Sequence, residues 1–108
     1  MTRVYVPTTL AALARYVDNG YITESADRFV APGEDDESEY AALLAAAEAS
    51  EALLDGPGRR VVVVAEVTYE DGTVAMEQVV AVHADTDDEH EPDDDLGWFA
   101  TQEIQYLI

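Results

Sequence analysis

Val61-Val62-Val63-Val64-Ala65-Glu66-Val67 is an almost unbroken run of aliphatic, mostly β-branched residues. A strand with apolar side chains on both faces belongs in the middle of a sheet, covered on either side. This segment is therefore expected to be the central strand. It continues through Thr68 and Tyr69 to Asp71-Gly72, the dipeptide that most favours a tight hairpin. Val74 to Ala84 then supplies the returning antiparallel strand. The polar pair Glu77-Gln78 interrupts its alternation, and a bulge or bend there would reconcile the pattern.

Upstream, Arg3 to Val6 alternates polar or aromatic with aliphatic residues and meets Pro7, giving a short first strand. Thr8 or Thr9 can cap a helix with apolar positions Leu10, Leu13, Ala14 and Val17, which Asn19-Gly20 stops. Arg28 to Ala31 can pair at a sheet edge before Pro32-Gly33 turns the chain. A second helix carries Tyr40, Leu43, Leu44, Ala47 and Leu54 at a period near 3.6, broken by Glu51. Gly56, Pro57 and Gly58 end it. Downstream, Leu96, Phe99, Ala100, Glu103, Ile104, Leu107 and Ile108 predict a terminal amphipathic helix, with Trp98 and Gln102 on an adjoining face.

These elements predict one α+β domain over residues 1–108, with a mixed sheet of three to four strands and about three helices. The order is strand, helix, weak strand, helix, strand, strand, helix. A two-helix crossover between the first strand and Val61–Val67 predicts that these two strands pair in parallel. A ferredoxin-like arrangement is the alternative.

The chain carries 24 carboxylates against five arginines and no lysine, for a net charge of -19 over 108 residues. Thirteen of those acids fall in two runs, Glu34 to Glu39 and Asp85 to Asp95. Such a surface repels nucleic acid and anionic membrane and attracts basic partners. The bland reading of the charge is coding bias or salt adaptation. The first run also precedes a helix, where negative charge favours the helix dipole. The second reads as a solvated loop that becomes a helix N-terminus near Asp93. A sharper reading is a nucleic-acid mimic that occupies a basic protein.

Absence of cysteine excludes disulfides, thiolate zinc and cysteine nucleophiles. Met1 runs directly into a strand-like segment without a basic start and long apolar stretch, so a cytoplasmic protein is expected. The longest apolar run falls far short of a bilayer span. His83, Asp85, Asp87, Glu89, His90, Glu91 and Asp93 invite a metal hypothesis. An EF-hand begun at Asp85 would require Gly at His90 and Glu at Leu96, and two histidines seven residues apart match no zinc motif. No metal and no cofactor is expected. No serine lies in a nucleophile elbow, and no glycine-rich phosphate loop follows a strand. With two dozen acids, a close carboxylate pair carries no signal.

Four segments carry a resemblance: the start Arg3-Val4-Tyr5-Val6-Pro7-Thr8-Thr9-Leu10, the helix Tyr40-Ala41-Ala42-Leu43-Leu44-Ala45-Ala46-Ala47, the strand end Ala81-Val82-His83-Ala84-Asp85, and the close Trp98-Phe99-Ala100-Thr101-Gln102-Glu103-Ile104. Together they resemble an uncharacterised family of small actinobacterial proteins, a domain of unknown function. Members tend to be longer and more often have tyrosine where this chain has Phe99. The resemblance implies a bacterial cytoplasmic origin from a GC-rich genome and carries no activity.

One constellation remains. Alternation places Arg3 and Tyr5 on one face of the first strand, and Ala81 and His83 on one face of the fourth. If those faces coincide, Arg3, Tyr5 and His83 form a polar and aromatic cluster that Trp98 and Gln102 can reach. The conservative expectation is a hydrogen-bonded interior histidine and a core tryptophan. The functional expectation is a binding site made by Arg3, Tyr5, His83, Trp98 and Gln102, with no catalytic residue assigned. On that basis a non-enzymatic interaction or regulatory module with a protein partner, basic by charge complementarity, is the leading expectation. Homo-oligomerisation is left open. The alternative is a small acid-base or hydrolytic enzyme for an anionic metabolite, with His83 as base and Arg3 as anchor. An enzyme should enclose about 300 Å³ or more around His83. A binding module should present an apolar patch or dimer contact.

Overall fold

A computed structural model describes residues 1–108. The strands are β1 (Thr2–Thr8), β2 (Tyr21–Ile22), β3 (Phe29–Val30), β4 (Val61–Val67), β5 (Val74–Ala75), β6 (Val79–Ala84) and β7 (Gly97–Phe99). The helices are α1 (Leu10–Asn19), α2 (Asp36–Leu53) and α3 (Ile104–Leu107). Five strands form one sheet in the order β3-β1-β4-β6-β7, and β2 pairs with β5 in a small separate ladder. The α+β class and the central position of Val61–Val67 are as expected. All residues of β4 except Glu66 are buried.

Every pairing is antiparallel, so the expected mixed sheet is corrected. β1 pairs antiparallel with β4, with Thr2 opposite Val67 and Thr8 opposite Val61. The reason lies in the weak strand. β3 pairs antiparallel with the outer side of β1. It is therefore β3 and β4, on either side of β1, that run in parallel, and α2 is the crossover between them. The expectation applied a sound rule to the wrong pair of strands.

Helices cover both faces, which also sets aside the ferredoxin-like alternative. On one face Val4, Val6, Val61, Val63 and Val82 pack with Leu13 of α1, Ile22, Val74 and Ile104 of α3. On the other, Tyr5, Val62, Val64 and Ala81 pack against Ala42, Ala46 and Ala47 of α2. The buried stripe of α2 is therefore small residues, which let the helix lie close on the sheet. Tyr40 and Leu44, expected in that stripe, stand 50% and 45% exposed. Val17 of α1 is likewise exposed. Thr9 caps α1, its hydroxyl accepting from the Ala12 N–H, and Gly20 ends it at φ 86°, in the left-handed region glycine enters without strain.

The hairpin from β4 to β6 forms as expected, but Val74 to Ala84 is not one strand. Its first two residues leave to pair with β2, a 3₁₀ turn covers Met76–Gln78, and the register then shifts between Val64 and Ala65. The break at Glu77-Gln78 is thus a turn, followed by a bulge that leaves Val80 unpaired and exposed. Arg28 clasps the Asp71-Gly72 turn from outside, donating to the carbonyls of Glu70 (2.9 Å) and Gly72 (2.6 Å).

The expected terminal helix shrinks to α3, preceded by a 3₁₀ turn at Thr101–Glu103. Gly97, Trp98 and Phe99 extend the sheet instead, opposite Ala84, His83 and Val82. Gly97 fits because a Cβ there would lie 3.3 Å from Thr86 Cγ2 and 3.4 Å from the Ala84 carbonyl. No helix begins at Asp93, and no helix is long and apolar enough to cross a membrane.

Candidate functional site

The residue just before β4 and the residue just after β6 lie side by side in an antiparallel ladder. They are Arg60 and Asp85, each 4% exposed. Asp85 Oδ2 accepts from the Arg60 backbone N–H (2.8 Å) and Nε (2.9 Å), and Oδ1 accepts from a terminal guanidinium nitrogen at 2.8 Å. The expectation that Asp85 opens a solvated run is therefore corrected. Burial alone would raise the Asp85 carboxyl, but the Arg60 bonds and charge hold it below the usual range. The rest of the guanidinium donates to the carbonyls of Pro92 (3.2 Å) and Asp94 (3.0 Å). One buried ion pair thus fixes the path of the second acidic run.

His90 reinforces that anchorage. Its side chain is nearly buried, with Nε2 2.6 Å from Glu51 Oε2 of α2 and Nδ1 3.3 Å from Asp85 Oδ2. Farther along, the Tyr40 hydroxyl donates to Asp95 Oδ1 at 3.2 Å. The run is consequently tied to α2 at two points and to the start of β4 at a third. Between α2 and β7 this leaves a groove of about 440 Å³ whose lining includes Tyr40, Leu43, Leu44, His83, Asp95 and Trp98.

The expected cluster forms in part. Arg3, Tyr5, Ala81 and His83 all lie on the α2 face, because Tyr5 is opposite Val64, Val64 opposite Ala81, and Val62 opposite His83. Trp98 sits directly across from His83 on β7. Arg3, however, is opposite Glu66, at the far end of β4 from the row that holds His83. Its guanidinium contacts Glu39 at 2.6 Å and Glu66 at 3.4 Å. Tyr5 is buried under α2, where burial and the nearby Glu39 raise its phenol. Gln102 lies on the opposite face, in a second groove with Val17, Met76 and Ile104. His83 and Trp98 are together; Arg3, Tyr5 and Gln102 are elsewhere.

Both conservative expectations for the pair are corrected. Trp98 is 62% exposed rather than in the core. His83 is half-buried with no hydrogen bond inside the chain, and desolvation holds its imidazole below the ordinary value of 6.5. No carboxylate hydrogen-bonds the His83 ring, and Arg3, the expected anchor, is at the far end of the sheet. Arg60, Tyr40 and Asp95 escaped sequence reasoning. Arg60 and Asp85 had a signal, since residues bracketing a predicted hairpin must meet; Tyr40 and Asp95 had none.

A family described as a family of unknown function (DUF6912) matches residues 2–92. The chain belongs to this family. The DUF6912 match contains α2, Arg60, His83 and Asp85, whereas Asp94, Asp95 and Trp98 lie beyond its matched residues. No curated protein and no solved structure matches the chain. Membership in DUF6912 brings no activity with it.

Proposed function

We propose that the chain is a non-enzymatic protein-interaction module and that the groove between α2 and β7 is its binding surface. The observation that carries this reading is Trp98, the only tryptophan, standing largely in solvent at the groove wall with Tyr40 and Leu44 exposed on the facing helix. Partly exposed aromatic anchors around an apolar depression are the usual centre of a protein interface. The groove is large enough for a small ligand, yet its walls are exposed rather than enclosing, as an interface requires. The setting implied by the sequence resemblance is the cytoplasm of an actinobacterium.

The test is site-specific photo-crosslinking in the native host. Leu44 and Trp98 are replaced, one at a time, by p-benzoyl-phenylalanine, with Tyr69 and Tyr106 as exposed positions outside the groove. The expected result is one discrete protein adduct from positions 44 and 98 that the other two positions do not give. Adducts of equal yield from all four positions, or none from any, would overturn the proposal.

A further inference from the structure

The chemistry of the groove specifies what enters it. Asp94 and Asp95 stand on its wall, and Arg60 is the only arginine there. The Arg60 charge is already matched by Asp85, and each terminal guanidinium nitrogen also donates to a backbone carbonyl, of Pro92 or of Asp94. His83 adds no compensating charge near neutral pH, because burial favours its neutral form. The groove therefore carries two uncompensated negative charges. Asp95 Oδ1 accepts from Tyr40 and Asp94 Oδ2 accepts from the Glu91 N–H at 2.8 Å. The second oxygen of each carboxylate bonds to nothing in the chain.

This wall is held in place rather than loose. Arg60 fixes the backbone at Pro92 and Asp94, and Tyr40 fixes Asp95. The floor is apolar, with Leu43, Ala47 and Leu96, and the rings of Tyr40 and Trp98 stand beside it. A cation is stabilised by carboxylates and by aromatic faces together, and an aliphatic stem is stabilised by the floor. We infer that the groove takes a lysine or arginine side chain presented by a basic segment of a partner protein, an inference that rests on the interaction reading above.

Charge complementarity also selects against a second copy of this chain. Arg3, Arg59 and Arg60 contact carboxylates and Arg28 is bonded to backbone carbonyls, leaving Arg15 as the one arginine without a partner. Self-association would set one free arginine per copy against a net charge of -19 on the other. That same charge accelerates encounter with a basic segment.

Trp98 supplies the readout, because its emission is the only tryptophan signal. The probes are capped hexapeptides of alternating glycine and lysine, glycine and arginine, and glycine and acetyl-lysine, which keeps the stem and removes the charge. The lysine and arginine peptides are expected to change Trp98 emission saturably. Affinity should fall by about tenfold or more for acetyl-lysine, and similarly for the Asp94→Asn, Asp95→Asn double variant, as expected when one partner of a close charge pair is removed. Asp36→Asn with Glu37→Gln removes the same charge away from the groove and should change affinity little. Circular dichroism verifies that each variant is folded. Equal binding of acetyl-lysine, equal weakening by both double variants, or no saturation with either basic peptide at low-millimolar concentration would overturn the inference. If only the inference fails, the adducts specific to positions 44 and 98 persist; if the interaction reading fails, that specificity is lost, with adducts from all four positions or from none.

Discussion

The two acidic runs look alike in sequence and behave differently in the structure. In the first, Asp35 caps α2: its carboxylate accepts from the Ser38 N–H at 3.1 Å and the Ser38 hydroxyl at 2.8 Å. Asp36, Glu37 and Glu39 occupy the first turn, where the helix dipole favours them. All of this happens at the surface. In the second run, Asp85 is buried on Arg60, His90 is wedged between Asp85 and Glu51, and Asp94 and Asp95 face the groove. A carboxylate in water is a modest helper of a helix. One removed from water with its counter-ion becomes a structural requirement, because an unpaired buried charge is costly.

Removing Asp85 should therefore produce the largest effect. Asp85→Ala leaves Arg60 buried and unpaired, and is expected to cost about 3 to 5 kcal/mol, read from the urea unfolding midpoint. Asp35→Ala loses one exposed cap and should shift the midpoint far less. Arg60→Met combined with Asp85→Leu removes both charges and should regain most of the lost stability. The double variant also frees the Pro92 and Asp94 carbonyls, so the second acidic run should exchange its amide hydrogens faster even though the core is intact. Comparable losses from Asp35→Ala and Asp85→Ala would erase the distinction between the runs.

Acid separates the contributions next. The folded state holds the Asp85 carboxyl below its unfolded value, near 3.8. Its stabilisation is present above that value and is lost as pH falls through it toward the folded one. Asp85→Asn should flatten this part of the pH profile. His83 acts in a higher window. Its folded value lies below 6.5, so the unfolded chain binds the proton first as pH falls. Stability is then level above about 6.5 and declines below it, until the folded state is protonated too. His83→Gln should remove that decline, and the imidazole carbon-bound proton shifts in NMR should show the titration midpoint below 6.5. A midpoint at or above 6.5 would mean that the groove is wet or that a carboxylate reaches the ring.

How much of this was legible follows from range. β4, the capped start of α1, the hairpin and the interruption at Glu77-Gln78 are set by local composition and turn chemistry, and they were readable. Strand orientation was not, because it depends on whether a two-residue strand, Phe29–Val30, takes the edge of β1. The terminal segment has helical apolar spacing, but tertiary pairing with β6 determines the conformation of its first residues. Of the site, alternation placed His83 on the face where Trp98 meets it. Alternation defines a face and not a position along it, which is why Arg3 was drawn into a cluster that it does not join. Tyr40 with Asp95 depends on the path of a loop, for which the sequence has no periodicity.

The smallest predicted effects differ between the runs in sign. Asp36 sits in the first turn of α2. Asp93 is exposed, makes no hydrogen bond and lies among like charges. Neutralising Asp36 removes a favourable interaction with the helix dipole, whereas neutralising Asp93 only relieves self-repulsion in a chain of net charge -19. Asp36→Asn should therefore lower the urea midpoint slightly, and Asp93→Asn should raise it slightly, both at low ionic strength. At about 1 M salt, where the Debye length is about 3 Å, both shifts should collapse toward zero. The Asp85→Ala loss should persist there, because salt does not reach a pair that water does not reach. If the Asp85→Ala loss collapses with salt as well, then Asp85 is an exposed carboxylate like the others, and the groove wall it anchors through Arg60 is not held in place.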